Sequence, residues 1–333
     1  NISVMADYFK GVKAGLRPHI KTHKTPIIAH KQLQAGAMGI TCQKLGEAEV
    51  MAAAGIRDIL IANQIVGACK IRRLVNLAKH ANVIVGVDNL KNAKSLSSAA
   101  LEKGIKLNVA MEISMGRCGV EAGKPALALA KEIVKLKGLR FRGIWEHGAG
   151  WPDRYTKFED RKRVHTEALK PFIETKDMLE DAGIDVEIVS GGYTATYNIT
   201  AEIPGITEVQ PGSYVFMDRA YKALEGLGPF DCALTVLTTV ISRPARDRAI
   251  TDAGLKAVAP ESGTNYSNLI LPQVKDAEGI ELYLLSEEHG WLRLKNPSRD
   301  LEVGDKLELI PSHCCTTVNL HDRFYGIRDG KIE

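Results

Sequence analysis

The segment RPHIKTHK, residues 17–24, gathers two lysines, two histidines and an arginine within eight positions. Such a cluster either forms a solvated basic turn or holds an anionic group beside a reactive amine. Lys21 is the better candidate for that amine, because it stands at the end of a predicted strand, whereas Lys24 falls on the turn that follows. Pro18 and the two neighbouring histidines argue against a freely solvated turn. We therefore predict a chemical role for Lys21.

Two glycine-containing segments later in the chain are candidates for binding phosphate. SGGYT, residues 190–194, follows one predicted strand, and PGSY, residues 211–214, lies at the next. Glycine allows a close approach of the backbone to a ligand, and N–H and hydroxyl groups suit phosphate oxygens. Either segment alone is also typical of an ordinary turn. Together they predict an anion site made of Gly191, Gly192, Thr194, Gly212 and Ser213.

A phosphate site combined with a strand-end lysine predicts pyridoxal 5'-phosphate (PLP) as cofactor. A lysine amine forms an imine with the PLP aldehyde, and the ring then accepts electrons from a carbanion at the Cα of the substrate. Lys21 is the lysine that this prediction assigns to the cofactor.

The second reactive cluster is SHCCTTVNLHD, residues 312–322. His313 and Cys315 are spaced i, i+2, which on a strand places both side chains on one face. Imidazole and thiolate form a ligand pair typical of zinc, and two protein ligands would leave positions for water and substrate. A buried cysteine beside a hydrogen-bonded histidine is the alternative. On such a strand Cys314 would face the opposite way and pack in the core.

The scaffold for these residues is predicted from the alternation of short apolar runs with amphipathic helical runs. Several of the helical runs end in glycine, and strand–helix repeats of this length indicate parallel strands with right-handed crossovers. Eight such units within about 200 residues predict a (β/α)₈ barrel of the TIM type, with an open doubly wound sheet as the alternative. The predicted strands are residues 16–21, 39–43, 58–63, 82–88, 107–114, 139–147, 186–192 and 207–214.

In such a barrel the active site forms where the strands end at their C-terminal side. This rule places Gln43 at the end of the second strand, Arg117 in the loop after the fifth, and His147 at the end of the sixth. The other side chains that it selects are Lys21, Asn63, Asp88 and Glu112.

After about residue 228 the residue pattern changes: apolar and polar residues alternate between turn signals, which predicts an all-β domain. The predicted domains are residues 1–227 and 228–333.

With 44 basic and 40 acidic residues the net charge is only +4, so nucleic acid is not an expected partner. No run reaches the roughly 18 apolar residues of a membrane helix. Six scattered cysteines are no disulfide framework, which favours a reducing compartment, the cytoplasm.

These motifs together resemble the family of D-threonine aldolases and D-serine dehydratases, whose barrel is of the alanine racemase type. The resemblance implies a PLP-dependent homodimer that acts on a D-amino acid. The chain opens directly on a predicted helix and stops in mid-strand, so we expect both ends to be clipped. The resemblance explains the start, because such proteins carry a strand before the first helix. The matching segments are LRPHIKTHK, GITCQKLGEAEVMAAAGI, MGRCGV, VSGGYTATY, VQPGSYVFMD, TDAGLKA, SEEHG and PSHCCTTVNLHD, which span essentially the whole chain.

The resemblance implies roles for individual residues of the cofactor site. Lys21 would be the Schiff-base lysine, and Arg117 would approach the phenolic oxygen of the ring. Gln210 stands where racemases place an arginine that faces the pyridine nitrogen. The implied cofactor site comprises Lys21, His19, Gln43, Arg117 and Gln210, with Tyr214 beside Gly191, Gly192, Thr194, Gly212 and Ser213 around the phosphate.

His313 and Cys315 match the metal pair of the family, which implies a divalent ion: zinc, manganese or magnesium. Aldolases of the family tend to carry aspartate at the second ligand position, and the zinc dehydratases tend to carry cysteine. Cys315 therefore favours a thiophilic metal and leaves the dehydratases open as an alternative. Glu146 stands where relatives often have tyrosine.

The activity that the resemblance implies is retro-aldol cleavage of a D-β-hydroxy-α-amino acid to glycine and an aldehyde. The metal would bind the β-hydroxyl, and His147 or a metal-bound hydroxide would remove its proton. The alternative is elimination of water to a 2-oxo acid and ammonia, with Lys21 taking the Cα proton, and racemisation is a third outcome. A non-catalytic PLP carrier with the same barrel is an alternative from another class. The β-domain with its candidate metal pair argues against it.

Overall fold

The computed structural model of the chain describes residues 1–260 and 270–333. These residues form two compact units. The first comprises Asn1–Tyr214 and Leu224–Pro229, and the second comprises Val215–Ala223 and Phe230–Glu333. The predicted domain boundary after residue 227 places residues 215–223 in the first unit, whereas the structure groups them with the second.

The first unit is the predicted (β/α)₈ barrel. Its strands are β1 (Gly15–Leu16), β2 (Ile40–Cys42), β3 (Asp58–Gln64), β4 (Asn82–Val87), β5 (Leu107–Glu112), β6 (Leu139–Trp145), β7 (Ile188–Gly191) and β8 (Glu208–Val209). They pair in parallel in the order β1-β8-β7-β6-β5-β4-β3-β2. The N–H groups of Met38 and Thr41 donate to the carbonyls of Leu16 and Pro18, each over 2.9 Å, and so connect the two ends of this order. The sheet is therefore a closed ring, and the open doubly wound alternative is wrong.

Helices connect the strands as the amphipathic runs predict. They are α1 (Ile2–Lys10), α2 (Pro26–Gln34), α3 (Leu45–Ala53), α4 (Ala68–Leu77), α5 (Leu90–Glu102), α6 (Lys124–Ile133), α7 (Phe158–Asp181) and α8 (Tyr197–Thr200). In α4 the residues Ile71, Leu74 and Val75 are buried at helical spacing, which is the face that packs on the barrel. The side chain of Asn89 caps α5 by accepting the Asn92 N–H over 2.8 Å.

Side chains fill the inside of the barrel in layers. Near the beginning of the strands, buried Arg17 pairs with Glu208 over 2.9 Å and also contacts Asp58. An apolar cluster comes next along the strands and comprises Leu60, Ala62, Ile84, Ala110, Trp145 and Ile188. The polar side chains of the candidate site lie at the C-terminal ends of the same strands, as expected for a barrel enzyme.

The first strand is shorter than predicted. Residues 16–21 were expected to be extended, but β1 ends at Leu16, and Ile20–Thr22 form one turn of 3₁₀ helix that contains Lys21. Pro18 explains the difference, because proline has no N–H to donate to a neighbouring strand. His19 still forms an isolated bridge with Thr41, so the segment stays in place in the ring.

The second unit is mainly antiparallel β-structure, as predicted. Its strands are β9 (Val236–Ala245), β10 (Arg248–Thr251), β11 (Gln273–Val274), β12 (Ile280–Leu285), β13 (Gly290–Leu294), β14 (Lys306–Ile310), β15 (Ile327–Arg328) and β16 (Lys331–Ile332), with short helices α9 (Arg219–Lys222) and α10 (Cys314–Val318). Six strands form one sheet in the order β11-β14-β9-β10-β13-β12. The predicted strand through His313 and Cys315 is wrong, because β14 ends at Ile310 and α10 begins at Cys314.

Two general features agree with the composition. All six cysteines lie in the described residues, and all six are free thiols. Among the helices that the structure describes, none combines the length and the apolar character needed to cross a membrane.

Candidate active site and candidate metal centre

Lys21 is half-buried beside two imidazoles at the C-terminal end of the barrel. Burial lowers the pKa of His147 to about 3 and the pKa of His19 well below its ordinary value, and the charge of Lys21 is the next cause in both cases. Both rings are therefore neutral at pH 7, and the charge of Lys21 disfavours their protonation. Lys24, in contrast, is exposed and has a left-handed backbone with φ of 54°.

Hydrogen bonds fix the ring of His19 beside Lys21. His19 Nδ1 accepts the backbone N–H of Lys21 over 3.4 Å, so Nε2 carries the proton and donates to Gln43 Oε1 over 3.3 Å. Gln43 Nε2 in turn donates to the Ala62 carbonyl over 3.4 Å. Two of the predicted cofactor residues thus form a single ordered chain with the candidate lysine.

The two glycine segments lie next to each other at the ends of β7 and β8. The Tyr214 N–H donates to Thr194 Oγ1 over 3.1 Å, which ties the two loops together. The hydroxyls of Thr194 and Ser213 are buried here. Gly212 is required by close packing, since a Cβ at this position would lie 2.8 Å from the His19 carbonyl oxygen. Hydroxyl groups and a bare backbone at the ends of strands seven and eight fit the phosphate of PLP.

Two of the residues predicted around the phosphate make hydrogen bonds within the protein. The N–H of Gly192 donates to Glu146 Oε1 over 2.8 Å, so this amide is already paired with a carboxyl group. The hydroxyl of Tyr214 accepts from Gln32 Nε2 over 2.8 Å, and the Tyr214 side chain is fully buried. Both residues are thus held at the ends of β7 and β8 by hydrogen bonds of their own, and their place around the phosphate stays a prediction.

Arg117 and Gln210 also lie at the strand ends, each beside a polar residue of the barrel. Arg117 Nη2 lies 3.7 Å from the carboxyl group of buried Glu112, and Gln64 donates a hydrogen bond to that same group. Gln210 Nε2 donates to Ser190 Oγ over 2.8 Å. The sequence rule selected Asn63 rather than Gln64. Because β3 runs one residue longer than predicted, the inward-facing residue at its end is Gln64.

Glu146 connects the loops that follow β6 and β7. Its carboxyl oxygens accept the N–H of Gly192 over 2.8 Å and the N–H of Ala149 over 3.1 Å. The residue is buried, and burial is the main reason why its pKa rises to about 7, although the two N–H groups oppose the rise. Glu146 thus holds the segment after His147 against the first glycine segment.

A Glu146→Gln variant is expected to have a different dependence of stability on pH. The folded-state pKa lies above the unfolded value of 4.5, so the wild type loses stability as the pH rises from 4.5 through about 7. The loss relative to the variant should approach about 3 kcal/mol, since one pKa unit corresponds to about 1.4 kcal/mol. Unfolding followed between pH 5 and pH 8 measures it. Parallel profiles for the two proteins would contradict the raised pKa.

The candidate metal centre lies in the second unit. The ligand atoms of His313, Cys314 and Cys315 all lie within 4.8 Å of one another. Cys314 is fully buried, as predicted, but its sulfur does not face away from the pair. The reason is that these residues begin a helix, in which successive side chains differ by about 100° rather than alternating between two faces.

The surroundings of His313 suit a cation. Its Nδ1 lies 2.8 Å from Oδ2 of Asp218, a fully buried carboxylate. Burial lowers the pKa of His313, but Cys315 and Asp218 together raise it well above its ordinary value. An imidazole and a thiol beside a buried carboxylate fit a divalent metal of the zinc type. Asp218 was missed by sequence reasoning, because it lies 95 residues away from His313 in the chain.

Comparisons with known proteins match both units. The family model "Alanine racemase, N-terminal domain" matches residues 1–220, and "Putative serine dehydratase domain" matches residues 233–327. A D-threonine aldolase of Arthrobacter sp is 38% identical over 337 residues, which cover 100% of this chain and 87% of that protein. A 3-hydroxy-D-aspartate aldolase of Paracoccus denitrificans (strain Pd 1222) is 38% identical over 344 residues, which cover 100% and 86%.

Solved structures agree with these matches. The crystal structure of D-threonine aldolase from Filomicrobium marinum superposes with a TM-score of 0.93 at 36% identity, covering 99% of this chain and 89% of the other. A D-threo-3-hydroxyaspartate dehydratase, described as a cysteine-to-alanine mutant in the metal-free form, superposes with a TM-score of 0.86 at 28% identity, covering 100% and 92%.

Proposed function

The chain belongs to the family of D-threonine aldolases and D-serine dehydratases, and on this basis we propose that it is a lyase that uses PLP and a divalent metal. Its proposed reaction is the retro-aldol cleavage of a D-β-hydroxy-α-amino acid to glycine and an aldehyde. The observation that carries this proposal is the position of Lys21 after the first barrel strand, where its backbone N–H donates to Nδ1 of His19 over 3.4 Å. The homodimer implied by the family stays a prediction, which light scattering of the purified protein would check.

Lys21 is proposed to hold PLP through its aldehyde, with Thr194, Gly212 and Ser213 at the phosphate. The hydrogen bond between the Tyr214 N–H and Thr194 supports this assignment, because it brings the two loops to one place. When bound, PLP supplies an electron sink for the charge left on the substrate Cα. Gln210, held by Ser190, is proposed to face the ring nitrogen as an uncharged group.

His147 is proposed to accept the proton of the β-hydroxyl. Its ring is neutral at pH 7 because its pKa is about 3, so its free lone pair can take a proton. After burial, the charge of Lys21 is the largest cause of that low pKa, and Arg117 is the next. His147 therefore becomes a stronger base whenever Lys21 is uncharged.

His313 and Cys315 are proposed to hold the divalent ion. A thiolate is a soft ligand, which favours zinc over manganese or magnesium. A divalent ion lowers the pKa of a hydroxyl group that binds to it, and this is the chemistry that cleavage of a β-hydroxy acid requires.

A dehydratase is the second candidate, and Cys315 is the observation that favours it. A D-threo-3-hydroxyaspartate dehydratase is among the solved structures that this chain resembles. Lys21 would then take the Cα proton, and the β-hydroxyl would leave as water. Both reactions use the same residues and differ in which substrate bond breaks.

Product analysis with D-threonine separates the two activities. We expect equal amounts of acetaldehyde and glycine, and no turnover of L-threonine under the same conditions. With 3-hydroxy-D-aspartate the corresponding products would be glyoxylate and glycine. The products are quantified by amino-acid analysis and by an aldehyde-specific reductase assay.

Formation of 2-oxobutyrate and ammonia instead would replace the aldolase by the dehydratase. If neither set of products formed and the substrate was inverted at Cα instead, the chain would be assigned to the racemases. Bound PLP without any turnover of these substrates would favour the non-catalytic carrier.

A further inference from the structure

Asp218 is a buried carboxylate that makes three hydrogen bonds around the metal centre. Its Oδ2 accepts from His313 Nδ1 over 2.8 Å and from the Cys314 N–H over 3.0 Å. Its Oδ1 accepts the Tyr221 N–H over 2.9 Å and so caps α9. The carboxylate thus links the start of α9 to the start of α10, and it touches the residues on which the metal proposal depends.

These contacts decide which nitrogen of His313 can bind a metal. A carboxylate only accepts hydrogen bonds, so the contact with Asp218 requires the proton to be on Nδ1. Nε2 is then the nitrogen left to bind an ion, once the ion displaces its proton. Metal-binding histidines in proteins are commonly oriented by a carboxylate at their other ring nitrogen, which fixes the tautomer and makes the ligand more basic.

The orientation of the ring is fixed as well as its tautomer. Because Asp218 also binds the Cys314 N–H, the carboxylate cannot turn away from His313 without leaving that backbone donor unpaired. The ring of Tyr221 lies on another side, with its centroid 5.9 Å from that of His313. Asp218 and Tyr221 therefore flank the imidazole on two sides.

The charges around His313 also suit a divalent ion beside Asp218. With His313 bound to the ion as a neutral ligand, a Cys315 thiolate and the Asp218 carboxylate would supply two negative charges, which together offset the charge of one divalent ion. Since Asp218 is fully buried, its charge is screened little by solvent.

We propose that Asp218 is a positioning residue of the metal centre, which holds His313 with Nε2 directed to the ion. This inference rests on the metal site proposed above and adds to it a residue from a distant part of the sequence. It predicts that removing the carboxylate weakens metal binding even when both ligands are intact.

The test compares the zinc affinity of the full-length wild type with that of Asp218→Asn, by competition with a chromophoric chelator. The variant keeps the size of the side chain but loses the charge and one acceptor oxygen. We expect zinc to bind about 10- to 100-fold more weakly, the range found when such outer partners are removed. The matched control is Asn89→Ala, which removes the cap of α5 in the barrel and should leave zinc affinity unchanged.

A purely structural role for Asp218 would lower the melting temperature of both variants and leave both zinc affinities as in the wild type. That result would overturn the inference while leaving the metal centre in place. Failure of the wild type itself to bind zinc would instead overturn the proposed centre.

A second measurement needs no variant at Asp218. In the zinc-loaded wild type labelled with ¹⁵N-histidine, the signals of His313, identified by their loss in His313→Gln, should report an Nδ1–H tautomer. An Nε2–H tautomer would contradict the positioning role.

Discussion

Replacing Lys21 by alanine is expected to reduce the turnover of D-threonine by about 10³-fold or more, the scale on which a covalent or acid–base group contributes. The residue is the proposed attachment point of PLP, and its backbone N–H donates to the ring of His19. Turnover is measured under saturating PLP, so that weaker binding of the cofactor is not mistaken for lost chemistry. Borohydride reduction followed by peptide mass analysis should find PLP on Lys21 in the wild type.

The matched control is Lys24→Ala, three residues further along the same segment. Lys24 is exposed, so its loss should leave turnover and the borohydride-fixed peptide unchanged. The assignment would fail if the absorbance of covalently held PLP survived in Lys21→Ala. It would also fail if Lys24→Ala lost activity and Lys21→Ala did not.

The barrel was predictable because its signals are local. Each strand–helix unit shows its own apolar periodicity and stop signals, and the parallel connection follows from the length of the repeat. Element boundaries were less predictable where one residue changes the hydrogen bonding. Pro18 ended β1 early, and one more residue in β3 made Gln64 rather than Asn63 the inward-facing end.

The partners of the site residues were not predictable, because they come from distant parts of the chain. Glu146 meets the Gly192 amide across 46 residues, and Asp218 meets His313 across 95. Neither carboxylate shows a local pattern that separates it from the other acidic residues. The candidate ligands His313 and Cys315 are a different case, because residues two apart stay close in a strand and in a helix. Their proximity was therefore predictable although the predicted conformation was wrong.

Replacing Cys315 by alanine is expected to weaken zinc binding by more than about 100-fold, since the loss of a ligand should exceed the 10- to 100-fold effect of its outer partners. Turnover of D-threonine should fall to the level of wild-type enzyme treated with EDTA. Zinc or manganese should restore the EDTA-treated wild type but not the variant. The affinities are measured with a competing chelator, and turnover is measured at saturating PLP to keep the metal effect separate from the cofactor.

Cys314→Ala is the matched control, because it removes the neighbouring thiol from the same turn of helix. Cys314 is fully buried and Cys315 only partly, so the sulfur of Cys315 is the one that an ion with open positions for substrate can reach. Zinc affinity should therefore change little in Cys314→Ala. An equal loss in both variants would mean that the ion has three protein ligands, since the three ligand atoms lie within 4.8 Å. Three such ligands would leave a tetrahedral zinc ion a single position for the β-hydroxyl, which is still sufficient to lower its pKa.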